Sequence, residues 1–340
     1  MIYPNILVLL ADPRLPDRSK PGGRFTVDHF DQVKRLRAAL AKLTDRNFTY
    51  LDDHRALYAT LRDAAPEFVL NFCDTGLGND ARRELHVPAM LEMLGLAYSG
   101  SGPVALGLCY DKALVRAVAM AHRVPVPDEV FLRPGDALPD FSYPAFVKPN
   151  RGDGSVGITE AAIVADAQAA RMRIDALREE LPGCDLLLQE YLSGTEYGFG
   201  LIGNENTGFT ALPMLEVNYD KLDPKLPRLL SYASKVDPQS PYWNDIGFRS
   251  AGLDSAAQQQ VLDWCVSLYD RLQLRDYARF DFRADRNGKL KLMEINPNPA
   301  WCWDGKMAHM GKLAGLSHSD VLRLIIEAAE QRSAAAAIQI

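Results

Sequence analysis

The sequence predicts an α/β protein, and three observations lead to this prediction. The run NILVLLA at 5–11 is short and continuously apolar, as in a strand buried in a parallel sheet. Apolar residues at helical spacing follow it, and a second buried-strand candidate, EFVLNF, lies at 67–72. Near the other end, the segment 277–299 alternates in polarity around Asn287-Gly288, which predicts an antiparallel hairpin.

Composition restricts the function classes. The chain has 340 residues and 47% hydrophobic residues, enough for two or three units with sizeable cores. Its net charge of −6 argues against a nucleic-acid partner, and no apolar run reaches the length of a membrane span. The five cysteines are scattered without CxxC spacing, which indicates reduced thiols and a cytoplasmic location.

The first 103 residues are typical of an open parallel α/β domain. Ligands of such domains bind beyond the carboxyl ends of the strands. Asp74 to Gly78 follows the second predicted strand, so it is a candidate binding loop, although an ordinary turn explains it equally well. A helix is expected over 84–94, with Gly95 as its cap.

Two lysines stand at positions that suit a phosphate. Asp111 is a candidate N-cap for a helix over 111–122, which places Lys112 in the first turn, where a cation opposes the helix dipole. Lys148 lies on a predicted strand, 144–149, directly before the glycine-rich loop NRGDGSVGI at 150–158. This loop lacks the GxxxxGK[ST] pattern of a Walker A motif, yet its N–H groups could wrap a phosphate. An exposed surface lysine and a simple flexible loop are the alternatives.

The second half supplies further elements in order. We expect a helix over 166–181, a strand over 185–190, a hairpin that joins strands 197–202 and 209–215, and a helix over 255–272. The polar stretch 219–248 carries four prolines and is long for an inert connection, so it is interpreted as a lid.

The hairpin at 277–299 carries the candidate metal site. A two-residue turn at Asn287-Gly288 pairs Asp281 with Glu294 and Arg279 with Asn296, all on one face. A four-residue loop from Asp285 is the alternative; it shifts these pairs but leaves the four side chains on the same face. Two carboxylates and an amide oxygen on one face suit Mg²⁺. The alternative is a solvated charged face. Because the segment Asn-Pro-Asn-Pro ends the strand at once, the metal site is as plausible as that alternative.

Taken together, these segments resemble the ATP-grasp carboxylate–amine ligases, and the D-alanine–D-alanine ligases in particular. The resemblance covers roughly 67–299. It rests on ELHVPAMLEMLGLAYSGSG at 84–102, DK at 111–112, VKPNRGDGSVGI at 147–158, QEYLSGTEY at 189–197, SYASK at 231–235, RFDFR at 279–283 and LMEINPNP at 292–299. It implies an ATP-grasp fold behind an N-terminal open parallel α/β domain, divided into units at 1–103, 104–195 and 196–340.

The resemblance also implies roles for individual residues. Lys112 and Lys148, the lid lysine Lys235, and Ser155, Val156 and Gly157 of the glycine-rich loop 150–158, called the flap below, would hold the ATP phosphates. Glu190 and Leu192 would form the hinge that contacts adenine, and Glu196 would bind ribose. Arg279, Lys235 and Ser155 form the implied catalytic set, with Arg279 at the oxyanion. Two Mg²⁺ ions, with Mn²⁺ as an alternative, are implied at Asp281, Glu294 and Asn296.

Some features depart from the family pattern. The first strand runs into ADPRLPDRSKPGGRF rather than the His-Gly-Gly loop and acidic residue that bind the first amino acid's ammonium group in the family. Glu84 is present in the matching helix, but the sequence does not indicate a second residue that would bind this ammonium with it. Pro297 to Trp301 replaces the family's Thr-x-Pro-Gly-Met, so Trp301 and Trp303 are expected to add bulk near the acceptor, the second substrate. In the lid, Val236 replaces a tyrosine.

We therefore expect a ligase that joins a carboxylate to an amine through an acyl phosphate, acting on small molecules other than two D-alanines, with a homodimer left open. A strict D-alanine–D-alanine ligase, a non-catalytic nucleotide-binding protein and a structural α/β protein are the alternatives.

Overall fold

A computed structural model describes residues 3–338 of the chain, and its first sheet is parallel. The sheet has the order β2-β1-β3, with β1 at Asn5–Leu9, β2 at Asn47–Leu51 and β3 at Phe68–Asn71. This confirms the strands predicted near 5–11 and 67–72, while β2 was not predicted. Helices α1 at Val27–Leu40 and α2 at Leu57–Ala64 connect the strands.

Three helices lead out of this sheet: α3 at His86–Met93, α4 at Pro103–Cys109 and α5 at Lys112–Ala121. Gly95 has a φ of +67° just after α3, which fits the predicted glycine cap. Asp111 caps α5, because its side chain accepts a hydrogen bond of 3.1 Å from the backbone N–H of Leu114. Lys112 is therefore the first residue of α5.

A four-stranded antiparallel sheet follows, in the order β4-β7-β5-β6. Its strands are β4 at Glu129–Leu132, β5 at Ala145–Pro149, β6 at Ile163–Val164 and β7 at Leu186–Glu190. Helix α6, Ala167–Glu180, covers one face with Ile174 and Leu177, which pack in one core with Val147 and Leu188. The predicted strands at 144–149 and 185–190 and the helix at 166–181 are confirmed.

The largest sheet has six strands, with β11-β10-β8-β12-β13 in order and β9 paired to β8. The strands are β8 at Glu196–Asn204, β9 at Gly208–Ala211, β10 at Leu215–Asn218, β11 at Gly247–Ser250, β12 at Tyr277–Ala284 and β13 at Leu290–Asn296. The single strand predicted at 209–215 is wrong: it divides into β9 and β10. Pro213 lies between them, and a proline cannot donate to a ladder.

The pairing across the predicted hairpin is confirmed, but its turn is not. Asp281 pairs with Glu294 and Arg279 with Asn296. The predicted two-residue turn is wrong, because the backbone N–H of Asp285 already bonds to the carbonyl of Lys289. By itself, the additional turn residue would shift the pairing of the two strands by one residue and place the side chains of Asp281 and Glu294 on opposite faces. An irregularity between Asp281 and Phe282 restores the register.

The remaining elements complete the fold. The segment 219–248, predicted as a lid loop, contains the short helices α7 at Ala233–Val236 and α8 at Pro241–Asn244 as well as the start of β11. Helices α9 at Ser255–Arg271, α10 at Lys306–Leu313 and α11 at His318–Ile338 follow. All five cysteines are free thiols. Within 3–338, no helix combines the length and the apolar character that crossing a bilayer requires.

Candidate active site

The strands β12 and β13 bring four predicted residues onto one face. The guanidinium of Arg279 donates to both carboxylate oxygens of Asp281 at 2.9–3.2 Å, and Nδ2 of Asn296 lies 3.2 Å from Asp281 Oδ2. Burial by itself would raise the pKa of Asp281, but the charges of Arg279 and Lys306 hold that pKa below its usual range. Asp281 is therefore ionised and enclosed by donors.

Lys306 is a functional candidate that the sequence reasoning missed. Its Nζ lies 3.2 Å from Asp281 Oδ1 and 3.3 Å from Glu196 Oε1, so one ammonium bridges the predicted metal-binding and ribose-binding acids. A signal was present in the sequence. Lys306 is the first residue of α10, as Lys112 is of α5, and a cation at that position opposes the helix dipole.

Lys112 and Glu294 meet from opposite sides of the site. Nζ of Lys112 is 4.0 Å from Oε2 of Glu294 and donates a hydrogen bond of 2.7 Å to the carbonyl of Gly152 in the flap. The chain after β5 fixes this lysine, because Asn150 Oδ1 accepts from the backbone N–H of Ala113 at 2.9 Å. The start of α5 and the flap are thus joined.

Lys148, the second predicted phosphate lysine, is buried. Burial, and then the positive charge of Lys112, lower the pKa of Lys148 to about 8, although Glu129 and Glu294 act in the opposite direction. A buried lysine with so few compensating acids is suited to a strongly anionic ligand. Lys112 and Lys148, the predicted pair of phosphate lysines, therefore both lie near Glu294.

The flap and the predicted lid are hydrogen-bonded to each other. Ser155 has a φ of +60°, and its Oγ donates to the carbonyl of Leu230 at 3.1 Å. The N–H of Tyr232 donates to the carbonyl of Ile158 at 2.9 Å. Residue 157 needs to be glycine, because its φ is +74° and a Cβ would lie 3.0 Å from Pro149.

Lys235 in α7 remains exposed and has no ion pair within the described residues. Val156 is half-buried in the flap.

The predicted nucleotide hinge contains an ion pair. The carboxylate of Glu190 is engaged by Lys291 Nζ at 2.6 and 2.8 Å, a partner that the sequence reasoning did not identify. Leu192 is buried. Glu196 is also buried, and besides Lys306 it has Tyr219 Oη at 3.4 Å.

The segment after β13, 297–303, places its two tryptophans differently. Trp303 is 43% exposed and its ring stacks on the guanidinium of Arg35 at 4.4 Å. Trp301 donates from Nε1 to the carbonyl of Phe72 at 2.9 Å and stacks on its ring. Asn298, in contrast, is 8% exposed and reaches Gly100, in the turn before α4.

The donor set at β12 and β13 fits the implied divalent ion. Asp281, Glu294 and Asn296 offer carboxylate and amide oxygens, which are the hard ligands that Mg²⁺ prefers. Within the described part of the chain, no three His, Cys, Asp or Glu side chains cluster closely enough to form any other metal site.

Comparison with known proteins places this geometry in a family. The family model described as "D-ala D-ala ligase C-terminus" matches residues 134–327, more than half of the chain. The chain belongs to this family. It is therefore an ATP-dependent ligase, in agreement with the resemblance of its motifs.

Relatives of this ligase differ in what is known of them. An uncharacterized protein, y4sG, of Sinorhizobium fredii is 31% identical over 252 residues, 74% of this chain and 71% of its own length. A D-alanine–D-alanine ligase of Oleidesulfovibrio alaskensis is 28% identical over 295 residues, 86% of this chain and 88% of its own.

Solved structures confirm the ATP-grasp fold. The D-alanine–D-alanine ligase of Bacillus anthracis complexed with ATP has a TM-score of 0.71 at 19% identity, over 96% of this chain and 97% of that one. The VanG D-Ala:D-Ser ligase of Enterococcus faecalis has a TM-score of 0.67 at 16% identity, over 96% and 100% of the chains. At such identities the likeness concerns the fold alone.

Proposed function

We propose that this ligase joins a carboxylate to an amine through an acyl phosphate and that its substrates are not confined to two D-alanines. The observation that carries the proposal is the β12–β13 face, where Asp281 pairs with Glu294 beside Arg279 and Lys112 lies 4.0 Å from Glu294. Metal ligands, an oxyanion donor and a phosphate lysine are thereby within reach of one another.

In the first step, a substrate carboxylate oxygen attacks the γ-phosphorus of ATP, and ADP leaves. Two anions must meet, so Lys112, Lys148 and Lys235 are assigned to the phosphates, with Ser155, Val156 and Gly157 above them. Glu190 and Leu192 are assigned to adenine and Glu196 to ribose. Asp281, Glu294 and Asn296 would hold Mg²⁺, or Mn²⁺, which when bound supplies positive charge at the phosphates.

In the second step, a neutral amine attacks the acyl carbon, phosphate leaves and the amine gives up one proton. Arg279 is assigned to the oxyanion that develops on the acyl oxygen. The hydrogen bonds between flap and lid support this chemistry, because an acyl phosphate survives only where water is excluded.

A strict D-alanine–D-alanine ligase is the second candidate, favoured by the names of the relatives. The absent His-Gly-Gly loop and the 297–301 exit argue against it. A non-catalytic nucleotide-binding protein would have no use for Arg279 beside the metal ligands.

The test is ADP release with ATP, Mg²⁺ and a panel of amino acids, with product masses recorded. Hydroxylamine added with the first substrate alone should yield a hydroxamate, which identifies the acyl phosphate. Turnover with D-alanine alone, far above every other amino acid, would establish the strict ligase instead. No ADP release with any amino acid, while an ATP analogue still binds, would refute the proposed ligation.

A further inference from the structure

Arg283 lies in β12 at a point where three segments of the chain meet. Its side chain is 7% exposed. Nε donates to the carbonyl of Gly194 at 3.1 Å, and Nη2 donates to the carbonyl of Arg228. Nη1 lies 3.8 Å from Oε2 of Glu196. One buried guanidinium therefore contacts the connection between β7 and β8, the lid segment 219–248 and the acid assigned to ribose.

The connection between β7 and β8 is fixed on the end of β12. The backbone N–H of Gly194 donates to the carbonyl of Ala284 at 2.9 Å, and the N–H of Ala284 donates to the carbonyl of Thr195 at 2.9 Å. A Cβ on residue 194 would lie 2.7 Å from the carbonyl oxygen of Ala284, so this close approach requires glycine. Arg283 therefore reaches the lid segment from a rigid support.

The lid segment is a packed unit rather than a free loop. Tyr219, Leu222 and Tyr242 are buried in a small core of its own, and Leu226 and Leu230 pack against them. A segment that buries its own apolar side chains keeps its shape when it is displaced. Its position over the site is therefore set by the contacts that attach it to the rest of the chain.

The stretch 228–232 attaches this unit to the flap and to β12. The carbonyl of Leu230 and the N–H of Tyr232 bond to the flap, whereas the carbonyl of Arg228 accepts from Arg283. A hydrogen bond from a charged, buried donor is stronger than one between neutral groups. Removing this guanidinium would release the lid segment from β12.

Arg283 also faces the carboxylate of Glu196. Oε1 of Glu196 accepts from Lys306 at 3.3 Å, whereas Oε2 accepts from Tyr219 Oη at 3.4 Å and lies 3.8 Å from Arg283. Tyr219 begins the lid segment, so this acid is held by the lid and by β12 together. The orientation of Glu196 is thereby linked to the position of the lid segment.

We propose that Arg283 is a positioning residue that holds the lid segment against β12 and orients Glu196 for the nucleotide. This inference rests on the ligase function proposed above. A lid that is held in place keeps water from the acyl phosphate, and an oriented Glu196 favours ATP binding. An arginine that served stability alone would affect neither of these properties.

The test compares the unaltered protein with Arg283→Met, which keeps an unbranched side chain and loses the donors. We expect KM for ATP to rise about fivefold or more, while kcat for ADP release changes less than about threefold. The ratio of ADP to ligated product should rise about twofold or more, because acyl phosphate is lost to water. With a non-hydrolysable ATP analogue bound, trypsin should cleave the lid segment at the exposed Lys221 and Lys225 about fivefold faster.

Arg178→Met is the matched control, because the half-buried Arg178 also donates to two backbone carbonyls, those of Arg133 and Asp136, outside the lid segment. It should change none of these values. Arg283→Lys keeps a charge beside Glu196 but loses the planar fork, so it should retain KM for ATP within about twofold while the lid segment is still cleaved faster.

Equal rates of lid cleavage and an equal ratio of ADP to product in a folded Arg283→Met, as judged by circular dichroism, would overturn the inference and leave the ligase function standing. If Arg283→Met does not fold, the cleavage rate of Arg283→Lys decides in its place. Absence of ADP release from the unaltered protein with every amino acid would overturn the proposed ligation, while cleavage with the analogue bound would still decide the role of Arg283.

Discussion

The ammonium of Lys306 lies 3.2 Å from Oδ1 of Asp281, so a side chain already occupies space beside a predicted metal ligand. Together with the donors from Arg279 and Asn296, this contact accounts for the lone pairs of the Asp281 carboxylate. A metal ion can reach Asp281 only if one donor withdraws. Lys306, on a long flexible stem, is the donor best able to do so.

Replacing Lys306 should therefore strengthen metal binding. We expect Lys306→Met to lower the Kd for Mn²⁺, measured by electron paramagnetic resonance with a non-hydrolysable ATP analogue, about three- to tenfold. Lys312→Met is the control, because Lys312 is exposed on the same helix. Unchanged or weaker Mn²⁺ binding in Lys306→Met would show that the lysine does not compete with the ion.

The two paired acids should differ in their structural contribution. Asp281 is buried between two cations, whereas the side chain of Glu294 is 37% exposed. We expect Asp281→Asn to cost about 3–5 kcal/mol in the free energy of unfolding, because it leaves buried cations unpaired. Glu294→Gln should cost less than about 1 kcal/mol. Urea unfolding measures both, and equal stabilities would contradict this account; Mn²⁺ binding should weaken in both.

Arg279 should affect the chemical step more than nucleotide binding. Arg279→Lys keeps the charge but loses the planar fork that contacts Asp281. We expect kcat to fall about 10²–10³-fold, as for loss of an oxyanion donor, with the Kd of an ATP analogue within about threefold. The exposed Arg271→Lys on α9 is the control. A loss confined to ATP binding would remove the oxyanion assignment.

Nucleotide binding should weaken in alkaline solution. The lowered pKa of Lys148, about 8, means that this lysine loses its charge above that pH in the free protein. We expect the Kd of a metal-free ATP analogue to rise about tenfold between pH 7.5 and 9.5. In Lys148→Arg, which stays charged, the rise should disappear. A Kd that does not depend on pH in the unaltered protein would refute this role.

The half-buried carboxylate of Asp74 should reduce stability at neutral pH. Because burial raises the pKa of Asp74 from 3.8 to about 6, the folded state binds this proton more tightly, and stability falls as pH rises between those values. We expect Asp74→Asn to stabilise the protein by about 1–2 kcal/mol at pH 7.5, since part of Asp74 stays in contact with water. At pH 4 the gain should nearly vanish.

Thermal melts at the two pH values measure this difference, with Asp63→Asn as the control, because Asp63 is exposed and pairs with Arg62. A gain of equal size at both pH values would exclude the titration of Asp74 as its cause.

The sequence by itself determined the element types, because its signals are local. Apolar runs such as 5–11 and the alternation in β12 depend on side-chain spacing within one segment. The pairing of Asp281 with Glu294 was also predictable, since one face of the sheet must be buried and this restricts the register. The details of the turn were not predictable. The turn has one residue more than expected, and an irregularity of one residue between Asp281 and Phe282 restores the pairing.

Contacts between distant segments were decided by tertiary structure alone. Lys306 reaches Asp281 and Glu196 because α10 packs across the six-stranded sheet, and Asn298 meets Gly100 across almost 200 residues of chain. No local pattern predicts these contacts, since the free energy of a buried charge depends on neighbours that only the folded chain supplies.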